Sequence, residues 1–382
     1  MADYSDQKAM IETDATNLLN YWSLRNQRIN EDLDIINLVK PIAKTGVKNW
    51  TDNEPKVFFD AARALVSMNF PRFRLPLSMN FTPEQKDRMN KAERLLIGIF
   101  RTFDNNLMAR GESTWLWQLA YWVLIGWWAV FNIVQKNGND VEFIADIWNP
   151  LTVYPEWDSR ELVKCLRIYE TDKLTAKAIA VELIEKGQLD TQYMFPQEGL
   201  QKIINYWRKT SDGVFNAVMV SGQVIKPLTK QTKLQKIPIH VGAVGSPDKS
   251  KGDWQLRRGE SVVAANRDVY EYSNILFRLL AEILDETAYP NIVTKTKSGQ
   301  PPFKEETLTG HGAVIPLRLE DQIDLLKHAA QPQEGNLLLQ YLGNQKQKGS
   351  VPASFYGNLP FEISGFALSQ LLAAIKYKLG PY

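Results

Sequence analysis

Residues 260–288 read ESVVAANRDVYEYSNILFRLLAEILDETA. The apolar residues Val262, Val269, Tyr272, Leu276, Leu279 and Ile283 follow one another at spacings of 7, 3, 4, 3 and 4. That pattern predicts a helix with a lengthwise packing seam rather than a scattered core face. A second row, Ile275, Leu280 and Leu284, gives it apolar surface on two sides, where a solitary surface helix needs one buried face. At ~1.5 Å per residue the element is about 40 Å long. Tyr289-Pro290 stops it, because proline cannot continue the hydrogen-bond ladder and pushes the preceding residue out of the helical region. Beyond it the sequence predicts a strand over Ile292–Lys297, a turn-rich stretch and a second apolar run, Ala313–Leu319. A shorter helix near Gln333–Lys346, a Gly/Pro-bearing run from Gly349 to Glu362 and a final helix pattern, Ile363–Leu379, follow.

Working back toward the N-terminus, the Trp-rich run Trp115–Phe131 approaches the length of a membrane span. Gly126 divides it, however, into a helix-like half and a strand-like half, Trp127–Gln135, which continues through the turn signal Asn137-Gly138-Asn139 into Val141–Ile147. A spanning helix would not become a hairpin strand halfway across lipid, where the broken backbone has no partner, so buried core is the expectation. Thr82-Pro83-Glu84-Gln85 is a capping box with proline at the first helical position, and the helix it starts should run to Ala109. Met89, Ala92, Leu96, Phe100, Phe103 and Leu107 form its apolar face. An amphipathic helix is expected over Asp14–Val39, with Leu18, Trp22, Ile29, Leu33 and Ile36 on one side. A strand over Leu162–Tyr169, a helix over Thr175–Lys186 and antiparallel strands from Lys202 to Ile225, with turns at Ser211-Asp-Gly213 and Ser221-Gly222, complete a mixed α/β block.

The chemistry is mostly excluded. The chain has 382 residues, 44% of them hydrophobic and 23% charged, which suits a folded protein of two or three domains. The net charge is +2, so any contact with nucleic acid must come from local charge placement. Cys165 stands alone, which rules out an intrachain disulfide or a multi-cysteine metal site and fits a reducing compartment. The opening MADYSDQKAM does not read as a secretory signal. His240, His311 and His328 have no ligand spacing, and neither a phosphate-loop nor a GxSxG motif is present; Ser246-Pro-Asp-Lys249 fits SxxK without its companions. Asp146, Glu156 and Asp158 are the carboxylates a metal would need, although strand ends and a turn explain them as well. No catalytic set converges, no cofactor is expected, and no enzymatic activity is read here. The largest one-sign cluster is a basic connector, Lys226–Arg258, carrying Lys226, Lys230, Lys233, Lys236, Lys249, Lys251, Arg257 and Arg258 against Asp248 and Asp253. It suits DNA phosphates, an acidic neighbouring subunit or simple solvation.

The order long helix, small α/β insert, returning helix, loop and last helix resembles the portal protein of tailed bacteriophages. The residues that carry the likeness are Ile237-Pro238-Ile239, AEILDETAYP with IVTKTK after it, GSVPASFYG…ISGFALSQLLAAIKYKL, and upstream IADIWNPLTVYPEWD. The likeness rests on order and spacing, not on a signature motif. It implies an α+β portal fold: an α/β wing over 1–259, a first stem helix over 260–288, a clip over 289–330, a second stem helix over 331–348, and a tunnel loop with a kinked channel helix over 349–382. It also implies a ring at one capsid vertex, in this family commonly of twelve copies, passing double-stranded DNA without reading its sequence. Its partners would be the major capsid protein, terminase and head–tail adaptors, with the protein assembled in the bacterial cytoplasm and carried in the virion, away from membrane. On this resemblance Val269, Tyr272, Leu276, Leu279 and Ile283 pack the stem, and Ile292, Val293, Lys295, Val314 and Ile315 belong to the clip. Lys346, Lys348, Phe355, Tyr356, Asn358, Phe361, Lys376 and Lys378 line the channel or its loop. Family members continue past the kinked helix into the wing and often a crown, whereas this sequence stops at Gly380-Pro381-Tyr382. The crown is therefore missing or belongs to a longer chain. Two other readings remain open from the residues: a membrane-associated protein held by the Trp-rich run, and a metal-dependent nucleic-acid enzyme.

Overall fold

The computed structural model describes residues 4–39, 51–68, 82–137, 140–185, 199–245, 258–288, 292–295, 322–325 and 333–350, with Ala373, Leu379 and Gly380. Helices and antiparallel sheets make an α+β chain that divides into two compact units. The first takes the described residues within Met1–Asp34, Val57–Ala264 and Ile363–Tyr382; the second takes those within Ile35–Lys56 and Ala265–Glu362.

The first unit is built on two sheets. A five-stranded antiparallel meander runs in order β3 (Val153–Trp157), β4 (Leu162–Thr171), β5 (Gln201–Thr210), β6 (Gly213–Val220) and β7 (Gln223–Lys230). Its β5–β6 and β6–β7 turns fall at the two Gly-containing sites expected, with Ser221 and Gly222 both at positive φ, 48° and 79°. Positive φ at both central positions is the geometry of a tight hairpin. One face of this sheet, at Tyr206, receives Asp14 of helix α1 (Tyr4–Tyr21), whose carboxylate also takes Lys164 at 2.8 Å. The opposite face packs Cys165, Trp207 and Val214 against Ala129 and Trp148 of a three-stranded sheet, β2–β1–β8. Helix α6 (Lys173–Glu185) covers the other end of that face through Ala176 against Ile203 and Val220.

Gly126 divides the Trp-rich run as expected, into helix α5 (Trp115–Ile125) and strand β1 (Trp127–Asn137). Its φ of 100° closes the helix in the left-handed region. Strand β2 (Asp140–Trp148) pairs with β1 out to Asn137↔Asp140; turn residues 138 and 139 lie outside the described residues. The crossing at Gly126 is tight: a Cβ there would sit 2.6 Å from the backbone of Gly259, and one at Gly259 would meet the Trp127 ring at 2.0 Å. Glycine is the residue that tolerates both conditions. Helix α4 (Pro83–Ala109) has the capping box and the bounds read from sequence, and its apolar face lies half-buried as far as Leu107, which is buried. No helix among the described residues is long and apolar enough to cross a membrane.

Several expectations need correction. The N-terminal helix begins at Tyr4, not Asp14, and is interrupted at Trp22 before α2 (Ser23–Ile36). Ile11 and Ala15 extend its buried row upstream, and Leu33 is half-buried where Leu18, Trp22, Ile29 and Ile36 are fully covered. The span Lys226–Arg258 is not one connector. Its start belongs to β7, and Ile239–Ala243 forms β8 by pairing with β1. Lys226 is buried and donates to Asn216 at 2.8 Å, which removes it from any basic surface. Lys249, Lys251 and Arg257 lie outside the described residues, as do Asp248 and Asp253.

In the second unit the long helix is α7 (Arg267–Ala288), preceded by a 3₁₀ turn at Ala264–Asn266. It is shorter than the 260–288 expected because the preceding chain is held elsewhere. Gly259 is at φ 76°, and the Val262 N–H donates to Leu124 at 2.8 Å, so that amide is not spent on a helical bond. Helix α8 (Gln333–Gly349) returns antiparallel to α7. The Asn266 amide donates to the Lys346 carbonyl at 2.8 Å, while at the far end a Cβ on Gly335 would lie 3.2 Å from Leu280. Between the helices, β9 (Ile292–Lys295) pairs with β10 (Gln322–Leu325). The partner of β9 within the chain is Gln322–Leu325; the apolar run Ala313–Leu319 lies outside the described residues.

Candidate functional site

The face that α7 buries differs from the seam read in its sequence. Asn266, Tyr270, Ser273 and Leu280, at helical spacing, are buried. Val269, Leu276 and Ile283 are half-buried, whereas Tyr272 is 66% exposed, Leu279 50% and Ile275 36%. On α8, Leu337 (65%), Leu338 and Tyr341 are also exposed. Both helices of this unit therefore show apolar side chains to solvent while covering polar ones. Of the seam residues, Tyr272 and Leu279 are left half or more exposed within one chain, while Val269, Leu276 and Ile283 are partly covered. Val262, read as the first member of that row, precedes the helix.

Polar residues anchor the end of α8. Lys346 is 5% exposed; its ammonium pairs with the Asp52 carboxylate, lies 3.9 Å from Glu54 and sits 6.0 Å above the Tyr270 ring. Asp52 is positioned by its own N–H, which donates to Asn274 at 2.9 Å, and accepts the Glu54 N–H at 3.1 Å. Ser350, the last described residue before the expected loop, donates to Glu54 at 3.1 Å. Burial pushes the Glu54 carboxyl above the ordinary carboxylate range, with Lys346 and Ser350 opposing it. Gly349 is required here, because a Cβ would collide with the Asn266 side chain at 1.9 Å. Lys346, expected on a channel wall, is therefore an internal counter-ion, while Lys348 is exposed. Phe355, Tyr356, Asn358, Phe361, Lys376 and Lys378 lie outside the described residues, as do Val314 and Ile315. Ile292, Val293 and Lys295 lie in β9.

In the first unit a buried cation missed in the sequence fixes the segment IADIWNPLTVYPEWD. Arg25 donates to the carbonyls of Pro150 at 3.0 Å and Val153 at 2.9 Å, and its guanidinium packs on the rings of Trp22 at 4.7 Å and Trp127 at 5.2 Å. Desolvation lowers its pKa to about 10, and it has no carboxylate partner among the described residues. The only sequence signal was its place on the buried face of α2. Trp22 adds a bond from its indole to the Pro155 carbonyl at 2.9 Å.

The three carboxylates weighed as metal ligands each have a separate structural role. Asp146 meets Arg110 at 3.4 Å, and Glu156 meets Lys164 at 3.0 Å. Asp158 accepts the N–H groups of Glu161 and Arg160 in a turn, which holds it below the usual carboxylate range. Among the described residues no group of three or more His, Cys, Asp or Glu is placed to share a metal. His240 lies 3.2 Å from Asn132; His311 and His328 lie outside the described residues. Comparison with protein-family models and with curated proteins finds no match to this chain.

Proposed function

We propose that this chain is the subunit of a portal ring through which double-stranded DNA enters and leaves a bacteriophage capsid. The observation that carries the reading is the pair of helices α7 and α8, each exposing apolar residues, with a two-stranded antiparallel sheet between them in sequence. Tyr272, Ile275 and Leu279 on one helix, and Leu337, Leu338 and Tyr341 on the other, suit a helical pair with neighbours on both sides. The occupant of both rows is a second copy of the same chain. The β9–β10 region, as a clip, would dock terminase during packaging and head–tail adaptors afterwards, and the first unit, as a wing, would meet the major capsid protein. The run from residue 351 would narrow the channel, and contacts with DNA would be to phosphate, without base reading. No covalent chemistry is required of such a ring.

The test is the oligomeric state of two neighbouring variants. Leu279→Asp alters an exposed position and should give a folded chain that no longer forms rings, read by native mass measurement and electron microscopy. Leu280→Asp alters a buried position and should unfold the second unit before assembly is reached, since an unpaired buried carboxylate costs several kcal/mol. A wild-type protein that stays monomeric at every concentration, or a Leu279→Asp variant that assembles normally, overturns the reading.

A further inference from the structure

The first unit contains an open cleft of about 1160 Å³ between helices α4 and α5 and the β1–β2–β8 sheet. Its floor is apolar, with Phe103 on α4, Leu119 on α5, Val130 on β1 and Leu234 before β8 among the residues that line it. We infer that this cleft is a docking groove for an amphipathic helix of a partner protein, carrying acidic residues beside its apolar stripe. The inference does not rest on ring assembly.

Three features of the cleft select that occupant. The first is charge: the lining contains no carboxylate, while Lys233 and Lys236 stand exposed at its rim with no ion pair among the described residues. Trp115 adds an indole N–H that has no acceptor among the described residues. Of the other polar side chains in the lining, Asn132 and His240 are engaged with one another at 3.2 Å, and Gln235, between the two lysines, is exposed. The site thus offers cationic donors to an anionic flank. The second is length: Leu95, 61% exposed, stands one turn before Ile99, which lines the cleft one turn before Phe103. This row extends about 12 Å along α4 at ~1.5 Å per residue. A helix lying alongside would set residues i, i+3, i+4 and i+7 into it, whereas a compact small molecule would leave Leu95 uncovered. The third is size. The volume exceeds the roughly 300–1,000 Å³ of ordinary small-molecule pockets and suits several large side chains entering together.

The experiment uses the full chain and a fluorescein-labelled helical peptide with a Leu/Phe stripe at i, i+3, i+4 and i+7 flanked by glutamates. Its twin carries lysines in place of the glutamates. Fluorescence anisotropy should show saturable binding of the glutamate peptide, with the lysine twin weaker by roughly ten-fold or more. Raising the salt concentration should narrow that difference. Lys233→Glu with Lys236→Glu, both surface changes that leave the core alone, should reverse the preference. Phe103→Glu should abolish binding of both peptides. Equal binding of the two peptides, or no binding of the glutamate peptide, overturns the inference. Binding of dodecanoate in the absence of peptide binding would assign the cleft to an acyl chain. Self-association lost in the double lysine variant would assign it to a second copy, and either result also overturns the inference.

Discussion

Replacing Lys346 by methionine removes the cation that pairs with Asp52 while keeping most of the buried volume. The side chains of Lys346, Asp52 and Glu54 are only 6%, 14% and 27% exposed, so solvent cannot take over the lost charge without the site opening. Breaking a buried pair from one side costs about 3–5 kcal/mol. The low end, about 3 kcal/mol, is expected because Asp52 still accepts the Glu54 N–H. Amide hydrogen exchange across the described parts of α7 and α8 should therefore accelerate on the order of a hundred-fold, at 1.4 kcal/mol per decade. The pH dependence gives a second readout. Glu54 has a folded-state pKa already raised above its ordinary 4.5, chiefly by burial and against the pull of Lys346. Removing Lys346 raises it further. A carboxyl with a raised folded pKa favours the folded state most at low pH, and that contribution is lost as pH rises through the folded value. The variant's deficit should thus be largest near neutrality and shrink as pH falls toward 4.5. Adding Asp52→Asn should restore much of the protection, because the uncompensated charge is then gone. A loss that is the same at both pH values, or a double variant no better than the single one, would refute the argument that buried charge balance holds this helix end.

Gly126→Ala should cost on the order of 3–4 kcal/mol, because the new Cβ meets the Gly259 backbone at a positive-φ position; a thermal midpoint within a few degrees of wild type would contradict it. Cys165 is fully buried and its thiol is pushed up by burial, so maleimide should label the native wild type only through unfolding. That silence permits a channel test on the proposed ring: Cys introduced at Asn358 should label in empty rings and be protected in DNA-filled ones, and equal labelling would remove that loop from the channel. Cysteines at Leu279 and Leu338 should crosslink between copies as a 279–338 pair. A 279–279 product would indicate a two-fold dimer.

Where the fold was readable, the signal was local. The α4 capping box sets its own start, and at Gly126 the period changes from helix to strand across a residue able to take positive φ. The misreadings share a cause, since the deciding partner lies far away in sequence. Val262 fits a helical row, but its N–H is taken by Leu124. Lys346 looks like a surface lysine at a helix end until Asp52 is brought to it. Apolar periodicity also cannot rank two rows on one helix, because the buried row contains Ser273 and Asn266, and Asn266 is held inside by its hydrogen bond to the Lys346 carbonyl rather than by apolar character. Gln322–Leu325 is only four residues of alternating polar and apolar character, too short for that period to mark a strand in the sequence.

The inversion on α7 bears on assembly. A helix that covers Ser273 and leaves Leu279 50% and Tyr272 66% exposed forgoes about 1–2 kcal/mol for each of them that complete burial would contribute. One such residue would be unremarkable on any surface. In the proposed ring a second copy would cover the six on these two packed helices, and the forgone free energy would be recovered on association. The α7 row, Tyr272, Ile275 and Leu279, could meet the α8 row, Leu337, Leu338 and Tyr341, of another copy in two ways. A reciprocal exchange across a two-fold axis satisfies both rows at once and stops at two copies. A head-to-tail repeat leaves one row open on each end copy and closes into a ring when the rotation per copy divides a full turn. A 279–338 crosslink is compatible with both, so the number of copies it joins decides: the proposed ring expects a crosslinked ladder beyond two copies, and a product that ends at two copies would refute it.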